Sequence, residues 1–276
     1  MNTLWLPLVL LVAFWLLVGR GIARKLSILN AQLAAYRRGD YEAQLKIVEG
    51  FRGRGSEPPY YLFLHGAACF QLGRLREAEQ SIRRSAAIET NPALRALCWD
   101  ELGKVLMEQG RWDEAASRFR ECIKEAPNRG GGHRAVAEML LRQGEQNEAA
   151  LDAARRAVAA DRAKKVERGK LAREEYALSL SESLAFLAWA LAKNQADPSE
   201  VESALNEAFK LCGETTNPIL AELHFCAGQA YAAMGNTAES SRHFKCAVDI
   251  DPIGNYGRLS QSVEADTAQI SSSPPR

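Results

Sequence analysis

The sequence predicts an all-α protein made of repeated helix–turn–helix units behind one apolar N-terminal helix. Three observations carry this. Ala, Leu, Glu and Arg recur along the 276 residues, and long Val/Ile/Thr runs alternating with period two are missing. Glycines before polar or acidic helix starts return at regular intervals. Within each interval, large apolar residues sit at helical spacing around a small residue.

The N-terminal element comes first. Met1 to Gly19 holds no charged side chain, and Leu4 to Val18 is almost wholly Leu, Val, Trp, Phe and Ala. Nineteen helical residues span about 28 Å, close to the hydrocarbon thickness of a bilayer. Trp5 and Trp15 stand near its ends, where indoles favour the interface, and Pro7 falls in the first turns. The expected element is a transmembrane anchor over 1–20. A cleaved signal peptide is the rival, with Gly21-Ile22-Ala23 as a weak cleavage site, but no Lys or Arg precedes the apolar run. Arg20, Arg24 and Lys25 follow it, with Arg37 and Arg38 beyond. Positive flanks stay on the cytoplasmic side, so the body is expected in the cytoplasm.

The repeats come next. Gly39, Gly73, Gly110 and Gly144 are spaced 34, 37 and 34 residues apart, and Gly235 opens the same pattern late in the chain. The clearest unit contains Trp99, Leu102, Gly103 and Leu106, then Gly110, Ala115, Phe119, Cys122 and Pro127. Gly103 and Ala115 are small where two helices approach. Phe119 fills the space between them, and Pro127 ends the unit because it cannot continue a helix. Its neighbours repeat the pattern with losses. One has Leu62, Gly66, Cys69, Gly73, Ala78 and Ile82; another has Val136, Ala137, Leu140, Gly144 and Ala149. A stretched unit has Leu187, Ala188, Trp189, Leu191, Pro198, Ala204, Ala208 and Leu211, and the last has Gly228, Tyr231, Gly235, Phe244, Ala247 and Pro252.

These motifs resemble the tetratricopeptide repeat (TPR) family over residues 25–252. The units fall at about 25–58, 59–95, 96–129, 130–163, 173–218 and 221–254. The resemblance implies a TPR superhelix of about six antiparallel helix pairs with a concave groove, each pair completing its core against its neighbours. Residues 255–276, rich in Ser, Gln and Ala and ending Ser-Pro-Pro-Arg, are expected to be disordered. The charged stretch Asp161 to Glu175 reads as a solvated helix extension, with a basic patch as the functional rival.

No catalytic constellation is present: no HExxH, GxSxG, P-loop or GxGxxG after a strand. Gly130-Gly131-Gly132 reads as an inter-repeat turn. Of the four histidines, His224 and His243 lie nearest to Cys226 and Cys246, but their helical positions diverge and fit no common zinc spacing. No cofactor or metal is expected. The six cysteines are scattered singly at apolar positions and read as buried thiols. A net charge of +1 supplies no field for nucleic acid.

In TPR proteins the first helix of each pair lines the groove. The resemblance therefore places Tyr60, Phe63, Ala67 and Phe70 there, then Asp100, Lys104, Met107 and Glu108, then Arg134, Glu138, Leu141 and Arg142, then Glu222, Phe225 and Gln229. Aromatic anchors beside charges suit a protein or peptide partner. Chaperone-tail capture lacks its required Asn residues. The expected function is a non-enzymatic, membrane-anchored adaptor or scaffold. The alternatives are a cell-envelope assembly or regulatory factor without a metal module, and a cryptic metal-binding or enzymatic protein.

Overall fold

A computed structural model describes residues 27, 30–50, 58–164, 170–213 and 218–272. The expected anchor over 1–20, its flank Arg20, Arg24 and Lys25, the linker residues Lys165 and Arg168, and residues 273–276 lie outside the described residues. Among the described residues no helix is long and apolar enough to cross a membrane.

Helices follow one another in antiparallel pairs. They are α1 (residues 30–37) and α2 (Tyr41–Glu49), α3 (Pro59–Gln71) and α4 (Leu75–Ile88), α5 (Pro92–Glu108) and α6 (Trp112–Glu125), α7 (Gly130–Gln143) and α8 (Asn147–Ala163), α9 (Lys170–Lys193) and α10 (Pro198–Cys212), and α11 (Pro218–Ala233) and α12 (Thr237–Ile250). A further helix, α13, runs Asn255–Ser272.

The starts are set by local chemistry. Pro59, Pro92 and Pro198 occupy first turns, where the absent N–H costs nothing. Asp40, Asn91, Asp197 and Asn236 cap by accepting from backbone N–H groups two or three residues on. The recurring glycines all lie in the left-handed region, Gly39, Gly73, Gly110, Gly144 and Gly235 having φ between 67° and 77°. The fifth pair turns instead on Gln195, at φ 55°.

Packing inside the pairs repeats as well. A Cβ on Gly66 would meet Ile82, one on Gly103 would meet Phe119, and one on Gly228 would meet Phe244, each partner sixteen residues on. In the fourth and fifth pairs the same spacing joins Ala137 with Ala153 and Ala188 with Ala204, small residues on both sides, all buried. The core forms two clusters, one from α2 to α7 and one from α7 to α12, with the partly buried Val136 and Leu140 packed against both; Trp189 is the largest fully buried side chain, set edge-on to Phe225 at 5.8 Å. Helix α9 carries that centre, packing against α7, α8, α10 and α11.

Three expectations are corrected. Residues 255–272 are helical, because Tyr256, Leu259 and Val263 form an apolar stripe at helical spacing that packs on the core. Gly130-Gly131-Gly132 is the first turn of α7, where a Cβ on Gly130 would strike Asp161 and one on Gly132 would strike Ile123. Asp161 itself is buried, accepting from Gly130 N at 3.2 Å, Ser179 Oγ at 3.0 Å and Ser183 Oγ at 2.7 Å. It ties α7, α8 and α9 together and is no part of a solvated face.

The two ends of the array meet. Tyr41 Oη on α2 donates to Asp251 Oδ2, beyond α12, at 2.5 Å, with both residues buried. Asn255 N donates to Gln71 Oε1 at 2.9 Å, and the Arg258 guanidinium donates to the Gln71 and Phe70 carbonyls that end α3. Arg37 and Glu174 approach to 3.8 Å. The expected open groove is therefore an interior bounded by the first and last helices.

Candidate functional site: a charged cavity inside the array

The interior collects charge from the first helix of successive pairs. Lys104 Nζ lies 3.4 Å from Asp100 and 4.0 Å from Glu101. Arg134 pairs with Glu182 at 2.9 Å, and Arg142 with Glu108 at 2.5 Å and Glu138 at 3.6 Å. Tyr256 Oη donates to Glu138 at 3.3 Å. Burial raises the carboxyls of Glu101, Glu138 and Glu182 above their ordinary range. Burial works against the Lys104 charge, yet Asp100 and Glu101 hold its pKa well above the usual lysine value. Among the described residues Glu222 takes no hydrogen bond and no ion pair. Burial and the neighbouring Glu182 push its carboxyl up to about 8.

A cavity of about 290 Å³ opens on this network. Its walls include Gln32, Tyr36 and Gln44 from the first pair, Tyr60, Phe63 and Phe70 from α3, and Glu101, Lys104, Glu182, Glu222 and Tyr256 from the helices opposite. At its mouth Leu33 is 40% and Tyr60 39% exposed. A second cavity, of about 270 Å³, lies between Asp100, Arg134, Asp161 and Glu175.

The structure sorts the residues expected in the groove. Tyr60, Phe63, Phe70 and Lys104 reach the first cavity, and Arg134 reaches the second. Arg142 is held by Glu108 and Glu138 and packs its guanidinium 5.8 Å from the Trp112 ring. Met107 and Phe225 are corrections: both are buried in the core, Phe225 against Trp189, Phe244 and Tyr256, so neither presents a surface. The contributions of Gln32, Tyr36 and Tyr256 were not foreseen. Their part depends on the array's ends meeting, which repeat spacing does not encode.

The histidine expectation is also corrected. His224 and His243 converge, Nδ1 to Nδ1 at 2.8 Å, between Phe209 and Tyr231. Burial, reinforced by His243 and Arg242, brings His224 down to about 4; burial and Arg242 do the same for His243. Among the described residues no three His, Cys, Asp or Glu side chains cluster as metal ligands. Five cysteines are buried and Cys246 is half-exposed.

Residues 101–164 match the family model of the tetratricopeptide repeat. No curated protein matches the chain. Several solved structures are similar. The PilF structure of Pseudomonas aeruginosa is 15% identical, covering 90% of this chain and 99% of that one, with a TM-score of 0.49. BtubC from P. vanneervenii is 15% identical, covering 94% of each chain, with a TM-score of 0.45. YrrB, described as a TPR protein with an unusual peptide-binding site, is 17% identical, covering 80% of this chain and 96% of that one, with a TM-score of 0.38. The match to the tetratricopeptide repeat thus runs from within α5 to the end of α8, inside a longer run of paired helices of the same build.

Proposed function

We propose that the chain is a membrane-tethered TPR scaffold that holds a protein partner at the mouth of the first cavity. The observation that carries the reading is that Leu33 and Tyr60 stand exposed beside Phe63 at the rim of the first cavity. Aromatic residues beside a polar wall are the composition of an interface anchor. The tether and a cytoplasmic array are supported by the uncharged run of residues 1–19 and its basic flank.

A photo-crosslinking residue at position 60 of the full chain in its native membrane tests the partner site. It is expected to trap one protein reproducibly, and the adduct should be lost when Phe63 is changed to Asp. The same probe at Ile88, which is exposed away from the cavity, should trap nothing in common with it. Identical adducts from both positions would sink the reading. The tether is tested separately: the chain should resist alkaline extraction from membranes, and a variant lacking residues 1–24 should not.

A further inference from the structure

The first cavity holds more unsatisfied polarity than the fold itself requires. Seven residues ahead of each left-handed turn the pairs carry Gly66, Gly103, Ala137, Ala188 and Gly228, small residues that let the helices close. The first pair carries Gln32 at that position. Gln32 is 1% exposed, it lines the cavity, and among the described residues neither atom of its amide has a hydrogen-bond partner. Gln44 is also buried there, with its carbonyl oxygen unpartnered among the same residues. Buried carbonyl oxygens left without a donor cost about 1–3 kcal/mol each, so a group that donates to both is favoured.

The charge in the walls says which group. Three carboxyls, Glu101, Glu182 and Glu222, face one ammonium, Lys104. Lys104 is engaged by Asp100 and Glu101, and Glu182 by Arg134. Glu222, 7% exposed, forms no ion pair of its own among the described residues; Arg134 and Lys104 act on it only from beyond contact. An anionic ligand would meet three carboxyls, whereas a cation would take the place of the proton that burial makes Glu222 keep. Tyr36, Phe63 and Phe70 supply ring surface beside these groups, which suits an apolar stem and the face-on approach of a cation. The volume lies at the small end of ligand pockets.

We propose that this cavity binds a small organic cation, a primary ammonium or guanidinium on an apolar stem, with Glu222 as its counter-ion and Gln32 and Gln44 as its hydrogen-bond acceptors. The cation comes either from a free amine or from a Lys or Arg side chain of a partner. The inference does not depend on a protein docking at the mouth.

Calorimetric titration of the purified full chain in detergent tests it, using phenethylamine, agmatine and an N-acetylated, C-amidated lysyl peptide. At least one is expected to bind saturably. Binding of the free amines assigns the site to a free ligand, and binding of the peptide alone assigns it to a partner's side chain. N-acetylphenethylamine and phenylacetate, matched in shape but neutral or anionic, should not bind. Glu222→Gln keeps the shape and removes the charge, so it should weaken binding at least about tenfold. Gln32→Leu, with Glu222 intact, should weaken it by a smaller factor. Both variants are checked for cooperative melting, and Gln32→Leu alone decides if Glu222→Gln fails to fold. The proposal is overturned if none of the three cations binds at millimolar concentration. Equal binding of the acetylated or anionic analogue overturns it as well, as does unchanged affinity in a folded variant.

Discussion

Gly103→Ala separates two opposing effects whose balance the structure decides. Gly103 lies inside α5, where alanine is the better helix former by about 1 kcal/mol. Propensity alone therefore predicts a gain. A Cβ there would stand 2.2 Å from Phe119 Cε1 and 2.7 Å from Cδ1 and Cζ, and Phe119 is fully buried with nowhere to retreat. Overpacking of this kind costs about 1–3 kcal/mol, and at 2.2 Å the upper end applies. The clash wins, and the net expected loss is about 1–2 kcal/mol, the difference of those two effects. Urea unfolding at constant slope measures it. Gly131→Ala, on α7, is the matched control: no atom lies within 4 Å of its Cβ, so only the propensity gain of up to about 1 kcal/mol remains. Phe119→Leu should relieve the clash, giving a favourable coupling of about 1 kcal/mol in the double variant. Gly228→Ala, whose Cβ would lie 2.7 Å from Phe244, should lose less than Gly103→Ala. A Gly103→Ala chain as stable as the native one would refute the close-packing argument.

Tyr41→Phe removes the hydroxyl that joins α2 to Asp251 and leaves a buried carboxyl oxygen without its donor; a loss of about 1.5–3 kcal/mol is expected, with faster amide exchange in both the first and last pairs. Glu222 adds a pH dependence. Its carboxyl is raised from 4.5 to about 8, so across that window the native chain keeps a proton that the unfolded chain has lost. Stability therefore falls as pH rises through the window, by at most about 1.4 kcal/mol per unit, and Glu222→Gln should flatten that slope in unfolding curves between pH 5 and 8. The histidine pair acts in the opposite sense. Both rings are lowered from 6.5 to about 4, so stability is lost as pH falls through that window, and His243→Gln should reduce the loss, as read by melting temperature against pH.

The parts of the fold that the sequence discloses are those with a local cause. Gly39, Gly73, Gly110, Gly144 and Gly235 mark turns because the backbone there is left-handed. Gly103 with Phe119 marks a helix pair because one side must be small. Where the same geometry is met by another residue the mark fades. Gln195 makes the fifth turn without glycine, and Ala153 replaces the aromatic of the fourth pair. Helix α13 hides because Tyr256, Leu259 and Val263 stand among Ser, Gln and Ala, a composition that reads as a tail. The contact between Tyr41 and Asp251 spans 210 positions and leaves no trace in any period. Once the ends meet, the face expected to be open closes over its own side chains. Lys104, Arg134 and Arg142 meet carboxylates of their own or nearby helices in the middle of the array, but it is the meeting of the ends that brings acceptors from helix α1 into the cavity.

The interior ion pairs then pose a question of stability against specificity, which Arg134 and Glu182 can answer. Both side chains are largely buried, 2.9 Å apart, and the pair joins α7 to α9. Withdrawing two charges from water cancels much of their attraction, so such a pair adds little net stability over apolar residues of similar size. Removing one member is different. Arg134→Met leaves Glu182 facing Glu222 and Asp100 with only Lys104 to offset them, and a loss of about 3–5 kcal/mol is expected. Arg134→Met with Glu182→Leu removes both charges and should recover most of that loss. If the pair sets the register of α9 against α7, the recovered chain should still lose the cavity's shape, seen as changed exchange protection in α1 and α13. A double variant as unstable as the single one would instead make the pair a direct source of stability, and the interior charges would then be structural in the ordinary sense.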